Sequence, residues 1–167
     1  ASVGTLMMLL PSLAQASGIL HILEGDVFIN QRKASLNSKI KGGDHIVVAH
    51  DGKLVFSLGG DAFILHGGTV LVLEHAKEGL ITGLRLITGA LLAVFAKRQH
   101  HTKLRSHVAT IGIRGTAIFM HSSPNKLYTC TCYGHTDIQV GHHKDELKAT
   151  HHNAHEVSAD VHGIMQM

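Results

Sequence analysis

An all-β fold, either sandwich-like or a short β-solenoid, is what this sequence predicts. Three features carry the expectation. Short apolar runs recur along residues 17–140, glycine-rich turn clusters separate them, and no segment shows the sustained 3.6-residue period of an amphipathic helix. In order, the runs cover residues 19–23, 27–30, 45–49, 54–58, 62–66, 70–73, 84–87, 90–95, 110–113, 117–120, 127–131 and 136–140. Many alternate apolar with polar at period two, as in Lys53-Leu54-Val55-Phe56-Ser57-Leu58, which puts one face of a strand on a core. Between them stand Glu24-Gly25-Asp26, Gly42-Gly43-Asp44, Asp51-Gly52, Gly59-Gly60-Asp61 and Gly67-Gly68. Glycine accepts backbone angles closed to other residues and aspartate bonds nearby amides, so these clusters read as turns. No strict repeat is present, which argues against a long regular solenoid.

Composition fits one domain with a sizeable core. Of the 167 residues, 44% are hydrophobic and only 16% charged. With five Phe, two Tyr and no Trp, that core must be built from Leu, Ile, Val and Ala. A net charge of +3 is too small to imply nucleic acid, and no long basic face with stacking aromatics appears. Lys97, Arg98, Lys103 and Arg105 cluster around His100-His101, and we expect a solvated loop there. Phosphate-cradling loops, a Gly-x-Ser-x-Gly elbow and a His-Glu-x-x-His pair are all missing from the sequence, so an enzyme is not expected.

Residues 2–16 have the character of an export signal. An apolar run over residues 3–10 is broken by Pro11 and followed by the small-x-small pattern Ala14-Gln15-Ala16. Cleavage after Ala16 would deliver a periplasmic or cell-surface protein. A retained segment would instead supply membrane attachment or packing within an assembly, since the run is far short of the ~20 residues that span a bilayer.

The order of motifs along the mature chain resembles the FecR domain family of bacterial envelope proteins. The matching residues are Leu23-Glu24-Gly25-Asp26-Val27, Ile40-Lys41-Gly42-Gly43-Asp44-His45-Ile46 and Asp51-Gly52-Lys53-Leu54-Val55-Phe56. They continue through the stretch 83–92 and end with Ala109-Thr110-Ile111-Gly112-Ile113-Arg114-Gly115-Thr116, the most specific of the set. The resemblance implies a stand-alone periplasmic FecR-type module over residues 17–140, without known enzymatic chemistry, and with residues 141–167 as a His-rich extension completing the domain. Tail elements similar to those of a subset are Tyr128-Thr129-Cys130-Thr131-Cys132-Tyr133-Gly134 and His151-His152-Asn153-Ala154. Members of the iron-citrate regulator type carry a cytoplasmic anti-sigma segment and a membrane helix ahead of the domain. Neither is read in this sequence, so sigma-factor signalling is not carried over. Arg114, within the most specific motif, is expected to make a structural turn by bonding backbone carbonyls or a carboxylate.

Histidine is the compositional outlier, with sixteen in the chain, including adjacent pairs at 100-101, 142-143 and 151-152. His21, His45, His50, His66 and His75 fall singly in strands or turns and read as surface residues. His142-His143, ahead of Lys144-Asp145-Glu146, reads as an exposed connection. Cys130 and Cys132 are the only cysteines. Two residues apart on a strand, their sulfurs face the same side. Three states are open to them: a strained disulfide, free or intermolecular thiols, or a metal site. For the last, the candidate ligands are Cys130, Cys132, His151 and His152, with His135 and His155 in reserve. Two thiolates with two imidazoles suit tetrahedral coordination of zinc, copper or an iron–sulfur cluster. The functional expectation is therefore a non-catalytic binding or sensing module that works with an envelope protein partner. The rival is a structural subunit of a filament or membrane-associated complex, self-assembling through open strand edges.

Overall fold

Residues 53–58 show how the chain builds its sheets. Leu54, Phe56 and Leu58 are buried while Lys53, Val55 and Ser57 remain half-exposed, the alternation of a strand with one face on the core. The computed structural model describes residues 17–77, 80–99, 101–159 and 164–166. The signal-like segment 1–16 lies outside the described residues, as do His100 and the side chain of His75.

Among the described residues the fold is all-β. The strands are β1 (Gly18–Glu24), β2 (Val27–Ile29), β3 (Arg32–Lys33), β4 (Lys39–Ile40), β5 (His45–Val48), β6 (Lys53–Leu58), β7 (Asp61–Leu65) and β8 (Val70–Lys77). They continue with β9 (Leu80–Val94), β10 (Thr102–Arg105), β11 (Thr110–Ile113), β12 (Ala117–Ser122), β13 (Lys126–Val140), β14 (His143–Ala149), β15 (Asn153–Ser158) and β16 (Ile164–Gln166).

The strands form two sheets that share β9 and β13. Sheet A runs β4-β1-β6-β7-β9-β12-β13-β15-β16. Sheet B runs β3-β2-β5-β8-β9-β10-β11-β13-β14. Among the described residues every ladder is antiparallel except β9 with β10. A solenoid would stack parallel coils, so of the two expected forms the sandwich-like one is what the ladders describe.

Each of the two long strands, 15 residues apiece, leaves one sheet and enters the other. The first part of β9 pairs in sheet B and its residues 89–94 pair in sheet A. Conversely, residues 126–133 of β13 pair in sheet A and 134–140 in sheet B. The corners are Gly89, at φ +88°, and Gly134, at φ +99°. A Cβ at Gly89 would stand 2.4 Å from the Thr69 Cα, and one at Gly134 would stand 2.8 Å from the Thr116 Oγ1. Because both strands turn this way, β9, β10, β11, β13 and β12 close into a five-stranded barrel at one end of the sandwich.

The core is aliphatic, as composition requires, with one aromatic cluster. Phe56 stacks on Phe63 at 4.8 Å and Phe95 meets Phe63 edge-on at 5.6 Å. The expected solvated loop around residue 100 is corrected here. Lys103 and Arg105 lie on β10, and the Arg98 side chain is only 7% exposed. Arg98 pairs with the fully buried Asp61 and donates to the Ile81 carbonyl (3.0 Å) and the Thr102 hydroxyl (2.9 Å). Its guanidinium also lies 5.3 Å over the Phe95 ring. One arginine thus ties β7, β9 and β10 together. His142 and His143 are exposed, as expected; His142 lies in the turn after β13, while His143 already opens the edge strand β14.

Candidate metal centre

In β13 the residues Leu127, Thr129 and Thr131 point into the core, which leaves Tyr128, Cys130 and Cys132 on the outer face of sheet A. On β15, Ala154 stands opposite Cys130 and Asn153 opposite Thr131, so the turn leading into β15 comes down beside the cysteines. His152 belongs to that turn. Its Nδ1 lies 3.8 Å from the Cys130 Sγ, and both sulfurs and this nitrogen fall within 4.8 Å of one another. His151 is exposed and its ring is not among the converging atoms.

A tetrahedral zinc centre, with bonds of about 2.3 Å to sulfur and 2.0–2.1 Å to nitrogen, holds its ligand atoms about 3.5–3.8 Å apart. The Cys130–His152 separation already meets that spacing. Both cysteines are free thiols. Burial pushes the Cys132 thiol up from its ordinary pKa, the neighbouring Cys130 pushes it further, and a backbone hydrogen bond from Phe119 works in the opposite direction. A cation beside the two sulfurs would supply what that environment lacks for the thiolate form. Three protein ligands leave a fourth position open.

Of the reserve histidines, neither joins this group. His155 alternates inward from β15 and is 1% exposed in the core, with no hydrogen-bond partner at either ring nitrogen. His135 lies past the Gly134 corner, on sheet B. There it meets Glu146 through its Nε2 and lies 3.9 Å from the Asp137 Oδ1. These three side chains form a second convergent group that the sequence reading did not find. The spacing of His135 and Asp137, two apart on one strand, was its only local signal.

Arg114 makes the structural turn expected of it, with a different partner. Its Nε donates to the His101 Nε2 rather than to a carbonyl or carboxylate. Next to it Thr116 is fully buried, donates to the Tyr133 carbonyl, and its own carbonyl accepts from the Phe95 amide at 2.9 Å. His21, His45, His50 and His66 are exposed, as expected.

The cysteines sit within a larger surface pattern. Register places Ile22, Val55, Ile64, Leu92, Phe119, Cys130 and Ala154 side by side across seven strands of sheet A. All seven lie on the outer face, half-buried or exposed. Beside this row Ile19, Val94 and Tyr133 are exposed large hydrophobics. By contrast, the outer face of sheet B carries Glu74, Arg85, Lys103, Arg105, His135, Asp137 and Glu146.

No family model matches the sequence, and no curated protein matches it. The fold, however, is shared with solved structures. Two crystal structures of a Parabacteroides distasonis ATCC 8503 protein provisionally described as an anti-sigma factor, at 1.65 and 2.50 Å, superpose with TM-scores of 0.64 and 0.63. Identity is 14% in both, and the match covers 74% of this chain. The chain spans 58% of the length of that protein, and at this identity what the two have in common is the all-β fold.

Proposed function

We propose that this chain is a FecR-type sensing module of the bacterial envelope, which binds a thiophilic transition metal through Cys130, Cys132 and His152. The observation that carries the reading is the convergence of two thiols and one imidazole within 4.8 Å on a single sheet face. The FecR-type assignment is supported by the order of motifs ending at Thr116 and by the fold held in common with a protein described as an anti-sigma factor. Export to the periplasm or cell surface is supported by the signal-like residues 1–16.

Two thiolates and an imidazole select zinc or copper over harder cations. The metal's role here is recognition rather than turnover, because Cys130 stands within the apolar row of sheet A. An envelope protein docking on that row would meet Phe119, Tyr128 and Tyr133 beside the residues that would hold the metal. Occupancy then alters the surface the partner reads. The rival reading, self-assembly through strand edges, has less in its favour. The described edges of sheet B are Arg32-Lys33 on β3, two residues long, and the Lys144, Glu146 and Lys148 positions of β14. Short and charged edges oppose strand addition.

The test is Co²⁺ or Zn²⁺ loading of the reduced full chain. We expect a thiolate-to-cobalt charge-transfer band that is lost in Cys130→Ser, Cys132→Ser and His152→Ala and kept in His151→Ala. A band unchanged in Cys130→Ser, or no band in the wild type, would overturn the reading.

A further inference from the structure

We infer that the outer face of sheet B carries a second, thiol-free site for a divalent first-row cation, built from His135, Asp137 and Glu146 and bordered by His101. The alternation of β13 sends His135 and Asp137 outward together, and β14 sets Glu146 directly opposite Asp137. One nitrogen and two carboxylate oxygens from these side chains lie within 4.8 Å of one another. Across β11, Asp137 faces Gly112, which has no side chain, so the floor between Asp137 and β10 is open. His101 occupies the far wall, with its Nε2 3.9 Å from the Asp137 Oδ2. The resulting cleft of about 90 Å³ is lined by His101, Gly112, Arg114, His135, Asp137 and Glu146.

Size and chemistry agree on the ligand. A water molecule takes about 30 Å³ in the liquid, so the cleft has room for an ion with one or two waters. An organic ligand needs several hundred Å³. Imidazole with carboxylate is a borderline donor set that suits Zn²⁺, Ni²⁺ or Mn²⁺ and, unlike the cysteine site, offers no thiolate to a soft monovalent ion. Arg114 is the cation present in the cleft. Because its Nε donates to the His101 Nε2, that nitrogen is the unprotonated one and its single lone pair is taken up by the guanidinium. A metal ion would compete with the guanidinium for the same lone pair.

The experiment uses the full chain carrying Cys130→Ser and Cys132→Ser, titrated with Zn²⁺ alone in a calorimeter, so that the outcome does not depend on the cysteine site. We expect one equivalent of Zn²⁺ still to bind. Adding His135→Gln or Glu146→Gln should weaken that binding at least about tenfold, since even the groups that only orient metal ligands are worth 10–100-fold. Adding His142→Ala and His143→Ala should leave it unchanged. Arg114→Gln should tighten it, an effect that damage to the fold would not produce. Failure of the cysteine-free chain to bind Zn²⁺, or binding unaffected by Glu146→Gln, would overturn the inference.

Discussion

Asp61 is fully buried, so its carboxylate depends on Arg98 for a compensating charge. The carboxylate accepts from the Ala96 amide at 3.1 Å and from the guanidinium, while its second oxygen, Oδ2, has no partner. Removing one member of such a pair leaves the other charge buried and uncompensated, which costs about 3–5 kcal/mol, whereas replacing both with apolar groups is far milder. We therefore expect Arg98→Met to lower the unfolding free energy by about 3–5 kcal/mol in urea, and the Asp61→Leu/Arg98→Met double variant to cost less than the two singles added together. Strict additivity would show that the ion pair is not coupled. None of this could be read from the sequence, where Arg98 is simply one member of a basic cluster; its burial depends on β7 and β10 closing over it. Cys130 and Cys132 were legible because strand alternation alone puts them on one face. His152 could be named but not separated from His151, since a turn decides which of two neighbours faces the cysteines. Glu146 was invisible as a site residue for a related reason: only the pairing of β14 with β13 sets it opposite Asp137.

At the scale of the strand, a glycine inside a β pattern has two meanings that local sequence does not distinguish. Gly89 and Gly134 divide apolar runs, so residues 84–87 and 90–95, and likewise 127–131 and 136–140, read as separate short strands. Each pair is a single strand that turns a corner, because the hydrogen-bond ladder continues through the glycine into the other sheet. Most other runs were placed well, since alternation needs nothing beyond neighbouring residues. The two corners differ in what a methyl group would strike. At Gly89 it meets the Thr69 Cα at 2.4 Å, whereas at Gly134 the nearest atoms, the Thr116 Oγ1 and Cβ, stand at 2.8 and 2.9 Å, a smaller overlap. Left-handed backbone costs an alanine about 1–2 kcal/mol at either site, and overpacking adds about 1–3 kcal/mol where the neighbour cannot give way. Gly89→Ala should therefore destabilise by about 2–5 kcal/mol and Gly134→Ala by less, read as shifts of the urea midpoint at constant slope. The reverse order would mean that the Gly134 corner is the stiffer of the two.

Over the whole molecule, the two sheets turn unlike faces to the outside. The apolar row of sheet A runs up to the cysteines, while sheet B presents ion pairs such as Arg85 with Glu74, so apolar and charged outer surface are divided between the two sheets. What both sheets share is the interior between them, and there the described residues include a titratable weakness. His155 reaches inward opposite Thr129, whose hydroxyl also has no hydrogen-bond partner. Burial lowers the His155 pKa below its ordinary 6.5, and the nearby Asp145 carboxylate only partly offsets this. The folded protein therefore keeps this ring neutral at pH values where the unfolded chain has already bound a proton. Well above pH 6.5 both states are neutral and the full stability is present; as pH falls through 6.5 toward the folded value, the unfolded state takes up the extra proton and stability is lost. One proton limits the slope to about 1.4 kcal/mol per pH unit. Other histidines titrate in the same range, so the measurement is a difference: melting temperature against pH for the wild type and for His155→Leu, which fits the same apolar surroundings without a titratable group. Below pH 6.5 the wild type should lose stability more steeply than the variant, and the two curves should run parallel above pH 7. Parallel curves over the whole range would mean that the His155 ring is protonated equally in the folded and unfolded chains, and that its nitrogens find partners within the folded core.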